Sequence, residues 1–141
     1  MATSAYGGLP VAGGDVTCTN TSIIDIPAGA GVVLDIAFPP TGDQAVTVTV
    51  PLAAGSVAKP WGIATTIIKV GKSGPVRRVG AYPMTASGAI TYGDYVQIDS
   101  TAAHMGQAKT KGATVSQLGQ AMNTAADAEE VLVWVDIAAN V

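Results

Sequence analysis

Apolar and polar residues alternate most strictly in two stretches of the chain. In residues 45–50, Val46, Val48 and Val50 fall on one face and Thr47 and Thr49 on the other. Near the C-terminus, Val131, Val133, Val135 and Ile137 alternate with Leu132, Trp134 and Asp136. A period of two marks a β-strand, whose successive side chains point to opposite faces. The large Trp134 on the second face predicts a strand covered at least partly on both sides, as at the centre of a sandwich. Clusters rich in Pro and Gly at residues 39–43, 53–56, 71–75 and 85–88 cut the runs into short segments. Strands at this spacing predict an all-β fold. It is a compact sandwich or barrel-like domain of short antiparallel strands over residues 23–141, preceded by an extended arm over residues 1–22. Residues 116–122 and 124–130 have some helical character, but one is broken by Gly119 and both are short. They are read as a loop before the last strand.

One phrase occurs twice along the chain. A short apolar run after a Gly-containing turn is followed, some way on, by a Gly-x-Ala step. The first copy is Gly29-Ala30-Gly31-Val32-Val33-Leu34-Asp35, then Trp61-Gly62-Ile63-Ala64. The second is Tyr92-Gly93-Asp94-Tyr95-Val96-Gln97-Ile98-Asp99, then Leu118-Gly119-Gln120-Ala121 and the strand from Val131. Strand modules with few reactive side chains between them read as building material.

Hydrophobic residues make up 48% of the 141-residue chain and charged residues only 12%. The charged share is well below that of an ordinary soluble domain. A surface this poor in charge is expected where neighbours cover much of it. The net charge of −3 argues against nucleic acid, which calls for a clustered basic surface. No run of about 18 apolar residues predicts a membrane helix. The N-terminus also lacks the basic start and apolar core of a signal peptide.

Candidate chemistry is sparse. The single cysteine, Cys18, cannot form an intramolecular disulfide and is read as a small, partly buried residue. The single histidine, His104, has no second His to share a metal and no evident nucleophile to activate; it is read as a loop residue. Gly71-Lys72-Ser73 matches the end of a phosphate-binding loop, but Thr66 stands where the motif requires its first Gly. Asp94 and Asp99 sit at an odd separation along one strand, so they face opposite sides and cannot act as a carboxylate pair. No cofactor, metal or catalytic residue is expected, and an enzyme is the least supported reading.

Two features remain as candidate contacts. Residues 1–22 hold four Gly and no sustained period, yet carry Tyr6, Leu9 and Val11. A disordered terminus and an arm that orders on a partner both fit this composition. The densest basic cluster is Lys69, Lys72, Arg77 and Arg78 around a Gly-rich tip. It is either a solvated hairpin end or a patch for an acidic protein surface. Arg77 and Arg78 face opposite sides if they lie on a strand.

The succession Ile90-Thr91-Tyr92-Gly93-Asp94-Tyr95-Val96, Leu118-Gly119-Gln120-Ala121 and Glu130-Val131-Leu132-Val133-Trp134-Val135 resembles the C-terminal half of tailed-phage capsid decoration (cement) proteins. The upstream copy is similar to that family's first module, and the likeness covers roughly residues 23–137. The resemblance implies a structural protein of the virion. Such a protein is made in the host cytoplasm and seated on the capsid's outer surface, where it stabilises the shell by bridging major capsid protein subunits. It further implies a homo-oligomer, with a trimer favoured, and no catalytic residues, cofactor, nucleic acid or membrane partner. Expected partner contacts are Tyr6, Leu9 and Val11 in the arm and Lys72, Arg77 and Arg78 at the hairpin. The competing reading is a virion-associated module that binds a glycan or host surface through exposed Trp61, Tyr92 or Tyr95.

Overall fold

The structure, a computed structural model, describes residues 14–42, 45–51 and 60–137. Ten strands are found among them: β1 (Asp15–Asn20), β2 (Gly31–Leu34), β3 (Val46–Thr49), β4 (Pro60–Ala64), β5 (Ser73–Arg77), β6 (Val79–Thr85), β7 (Tyr95–Ile98), β8 (Ala108–Thr110), β9 (Gly119–Ala121) and β10 (Glu130–Asp136). The all-β expectation holds. β1 to β5 form a closed barrel in the order β1-β3-β2-β4-β5, and β6 to β10 a sheet in the order β6-β10-β9-β7-β8. All named pairings are antiparallel except β1 with β3.

Residues 15–20 were assigned to the arm on their polar, Gly-flanked sequence, and the structure corrects this. They form β1, bonded to β5 over Asp15↔Arg77 through Thr19↔Ser73 and to β3 over Cys18↔Val46 through Asn20↔Val48. Cys18 points into the barrel and is fully buried. The segment is a wall of the barrel because its partners, though distant in sequence, satisfy its backbone on both sides. The stretch 116–130 is not a plain loop either, since it contains β9.

The two halves repeat one another strand for strand. β2 and β7 are each flanked by the next strand and the next but one, and β5 and β10 each lie between the fourth and the first strand of their half. The equivalence extends to single bonds. Ile26 and Ile68 exchange two backbone hydrogen bonds of 2.9 Å, as do Ile90 and Ala125. Gly29 N–H donates to Ala64 O at 2.7 Å and Gly93 N–H to Ala121 O at 2.9 Å. The parallel pair Asn20↔Val48 corresponds to a single parallel bridge, Ala86↔Ala108, which brings the two ends of the second sheet together.

Each half has its own core. The first barrel is filled by Cys18, Ile26, Val32, Val48, Ala64, Ile68 and Val76, all at most 1% exposed. The second cluster gathers Met84, Ile90, Val96, Ile98, Leu118, Val131, Val133 and Val135. It also includes Val33 and Ile63, which project outward from the first barrel. The two halves are thus welded by the first barrel's outer wall, with each fully buried aliphatic side chain contributing roughly 1.5–3 kcal/mol. At this seam a Cβ on Gly31 would come within 2.7 Å of the Ile98 side chain, so the close approach depends on glycine.

Candidate interaction surface

Arg77 and Arg78, two of the expected partner contacts, lie at the junction of the two halves. Arg77 Nε and Nη2 donate to the two carboxylate oxygens of Asp15 at 2.8 and 3.2 Å. Its Nη1 donates to Ala81 O at 3.0 Å, and its guanidinium stands over the Tyr82 ring at 5.5 Å. The hydrogen bond from Arg77 to Asp15, more than the opposing loss of solvent, pushes the guanidinium's pKa up. Such a two-pronged pair fixes geometry as well as charge. Tyr82 completes the clamp by donating its hydroxyl to Thr65 O at 2.9 Å.

Arg78, in the bend between β5 and β6, turns the other way. Its guanidinium lies 3.5 Å from the centre of the Trp61 ring, and its Nε donates to Trp61 O at 3.3 Å. Burial lowers the guanidinium's pKa. This stacking covers Trp61, one of the aromatics considered for glycan binding, while Tyr92 and Tyr95 stay exposed. Cys18 lies behind Trp61, and burial pushes its thiol up, against smaller opposing effects of Trp61 and Arg78. The thiol donates to Val16 O at 3.5 Å, in keeping with a structural role.

Lys72 is the one residue of the three that stands exposed, just before β5. It belongs to a tip where Lys69 and Lys72 are interleaved with exposed Ile67 and Val70, beside exposed Ile23 and Ile24. Ile23 is 81% exposed and Ile67 62%, unusual for isoleucine on a soluble surface. The tip is held in shape rather than frayed. Asp25 accepts from the backbone N–H of Val70 at 3.0 Å. Asn20 donates to Ile24 O and Ile68 O at 2.9 and 2.8 Å. A groove lined by Thr19, Thr21, Phe38, Val70 and Gly71 runs along its side. The lysines stand out in the sequence as a basic cluster, whereas nothing in the sequence marks the isoleucines as exposed.

The carboxylates serve the scaffold. Asp99 is 4% exposed and accepts from Ser87 Oγ at 2.5 Å and from the backbone N–H and Oγ1 of Thr101 at 2.9 and 3.0 Å. Burial alone would raise its pKa, but those hydrogen bonds and the charge of Lys109 outweigh it and hold the carboxyl below the usual range. Asp35 repeats the device in the first barrel, accepting from Thr21 Oγ1 and, at 3.2 Å, from Ala37 N–H. Asp94 accepts from Thr91 N–H at 3.0 Å, a local turn bond. His104 is exposed in the short 3-10 turn Ala102–His104, its Nδ1 3.3 Å from Gln107 Oε1. Among the described residues, no three His, Cys, Asp or Glu side chains gather as a metal site would require, and no helix is long and apolar enough to cross a membrane. Tyr6, Leu9 and Val11 lie outside the described residues.

The geometry defines an all-β structural module: two tandem five-stranded units, a shared seam, and an apolar, lysine-bearing tip. A family model described as phage cement protein matches residues 11–137, across both units. The chain belongs to this family and is a structural protein of the phage virion. Among solved structures it is similar to the head fiber gp8.5 N base of bacteriophage phi29, with a TM-score of 0.60 at 16% identity over 87% of this chain and 93% of that one. At that identity the likeness speaks to the fold. No curated protein sequence matches.

Proposed function

We propose that this protein binds the outer surface of an assembled phage capsid and stabilises the shell by bridging neighbouring major capsid subunits. The observation that carries the reading is the cement-family match, which spans both halves of the fold. A protein that binds only the assembled lattice stabilises that lattice by mass action, and one that reaches several subunits adds avidity. The tip of the first barrel suits such contact. Ile23, Ile67 and Val70 offer apolar area, while Lys69 and Lys72 suit an acidic rim. The segment ahead of β1, with Tyr6, Leu9 and Val11, is proposed as an arm that reaches a neighbouring subunit. Self-association, with a trimer favoured, would multiply both contacts. Arg77 and Arg78 take part indirectly, by fixing the seam that orients the tip.

The test is co-sedimentation with empty capsids of the phage that encodes the protein. Deleting residues 1–13, which leaves β1 in place, should preserve the β-type circular dichroism spectrum and abolish capsid binding. Full decoration by the truncated protein would remove the arm from the reading. Undiminished binding by a Lys69→Glu, Lys72→Glu variant would do the same for the tip.

A further inference from the structure

The two halves carry the same strand registers, so each outward position in one has a counterpart in the other. In the first barrel, Asp15, Arg77, Ile63 and Gly31 stand side by side across β1, β5, β4 and β2. This row is the barrel's docking face. Ile63 is fully buried in the second half's core, Gly31 packs against Ile98 and donates its N–H to Gly106 O at 2.8 Å, and Arg77 holds Ala81 and Tyr82. The corresponding row in the second half is Ala81, Trp134, Gln120 and Tyr95, across β6, β10, β9 and β7. Apart from Arg77, which reaches Ala81, the row lies partly open: Trp134 is 40% exposed and Tyr95 50%, with Ala81 and Gln120 half-buried. Leu132, Met122 and Tyr92, also exposed, extend the apolar surface along one flank.

We infer that this row of the second half, centred on Trp134 and Tyr95, is the surface through which one copy of the protein binds a second copy. It rests on the self-association proposed above and names the face responsible. Three observations favour a second copy over an unrelated partner. The same register of the same module already packs against a unit of this construction within the chain. The row carries no charged side chain, so it calls for a surface as poor in charge as this chain's own. Its two aromatic residues at the centre are of the type that anchors interfaces, and they lie on strands fixed from both sides.

The test compares full-length wild type with Trp134→Glu and, separately, Tyr95→Glu, by sedimentation equilibrium, with circular dichroism as the check on folding. Both side chains are half in solvent, so at least one variant should fold. The wild type is expected to be oligomeric and the folded variants to dissociate at concentrations about tenfold or more higher. Lys72→Glu, at the opposite tip, should leave the oligomer intact. A monomeric wild type would overturn both this inference and the self-association beneath it. An oligomeric wild type with equally oligomeric folded variants would overturn this face alone. If both variants fail to fold, wild-type Trp emission on dilution decides: a red shift coincident with dissociation supports the face, and an unchanged spectrum through dissociation overturns it.

Discussion

The first barrel and the second sheet are built to one plan and differ in what they show the outside. The first closes over three residue pairs of a parallel ladder between β1 and β3, whereas the second meets itself at the single bridge Ala86↔Ala108. At matching outward positions, Ile63 is buried where Gln120 is half-exposed, and Gly31 lets a neighbour approach where Tyr95 projects. The inward positions keep their apolar character in both. A duplicated β-module can therefore keep its strand pairing while its outer face is rewritten residue by residue, because alternation separates the two sets of side chains. One copy's face became a seam within the chain, and the other's remained available.

The largest expected effect tests the plan itself. A Cβ on Gly62 would fall on the carbonyl oxygen of Arg77, and a Cβ on Gly119 on that of Trp134. These are matching contacts with backbone, which cannot swing aside. Gly62→Ala and Gly119→Ala should each destabilise by about 4 kcal/mol or more, the range of backbone clashes and core disruption. Urea unfolding of both variants checks this; a large loss in one and none in the other would break the equivalence of the halves.

The second prediction contrasts matching positions with different surroundings. Ile63→Ala should cost about 3 kcal/mol, as a fully buried aliphatic side chain leaves a cavity in the seam. Gln120→Ala should cost only about 1 kcal/mol in the monomer, the net worth of its hydrogen bond to Gly93 O. Equal losses at the two positions would mean that the second row is covered in the isolated chain.

Much of this comparison was legible in the sequence. The doubled phrase marked β2 and β7, and its Gly-x-Ala steps fall on β4 and β9, where Gly62 and Gly119 are needed for close strand approach. Its full extent was hidden for a physical reason: the connections between strands differ in length. The spacing between equivalent residues therefore shrinks along the chain, from Asn20–Ala86 through Ile26–Ile90 to Ala64–Ala121. β1 was missed although Val16 and Cys18 alternate with Thr17 and Thr19, since its partners β3 and β5 are remote in sequence. Arg77 and Arg78 read as free charge because neither the Asp15 carboxylate nor the Trp61 ring is a sequence neighbour. Trp134 was expected under cover because its strand is central; the strand is central within its sheet, yet its outer face is open.

A third prediction uses the repeated Asp-hydroxyl clasp. Asp99 has its carboxyl pKa held below the unfolded value, so its contribution is present above the usual carboxylate range. It is lost as the pH falls through the depressed folded-state value. Asp99→Asn should cost about 2 kcal/mol near neutral pH, the scale of hydrogen bonds to a buried charge, and should flatten the acid limb of the stability profile. Asp35→Asn, at a half-buried site, should cost less. Thermal unfolding across pH 2 to 7 separates the two, where about pH 4 marks the free carboxylate. An unchanged acid limb in Asp99→Asn would show that another group controls it.

The smallest effect is the most discriminating for the repeat, because it isolates backbone conformation. Gly71 in the first barrel has a φ of +76° and its counterpart Ala128 in the second has +69°. Both donate their N–H at 2.9 Å to matching carbonyls, Asn20 O at the end of β1 and Ala86 O just past the end of β6. A left-handed φ is free for glycine and costs an L-residue on the order of 1 kcal/mol. A Cβ at Gly71 would meet nothing within 4 Å, so Gly71→Ala should lose about 1 kcal/mol from backbone strain alone. Ala128→Gly should gain a few tenths to about 1 kcal/mol, the relief of strain being partly offset by the greater freedom of glycine in the unfolded chain. Opposite signs for these exchanges, read as shifts of the urea midpoint at constant slope, are what one shared turn conformation requires. A loss in both would mean that the methyl group of Ala128 contributes packing that outweighs its strain.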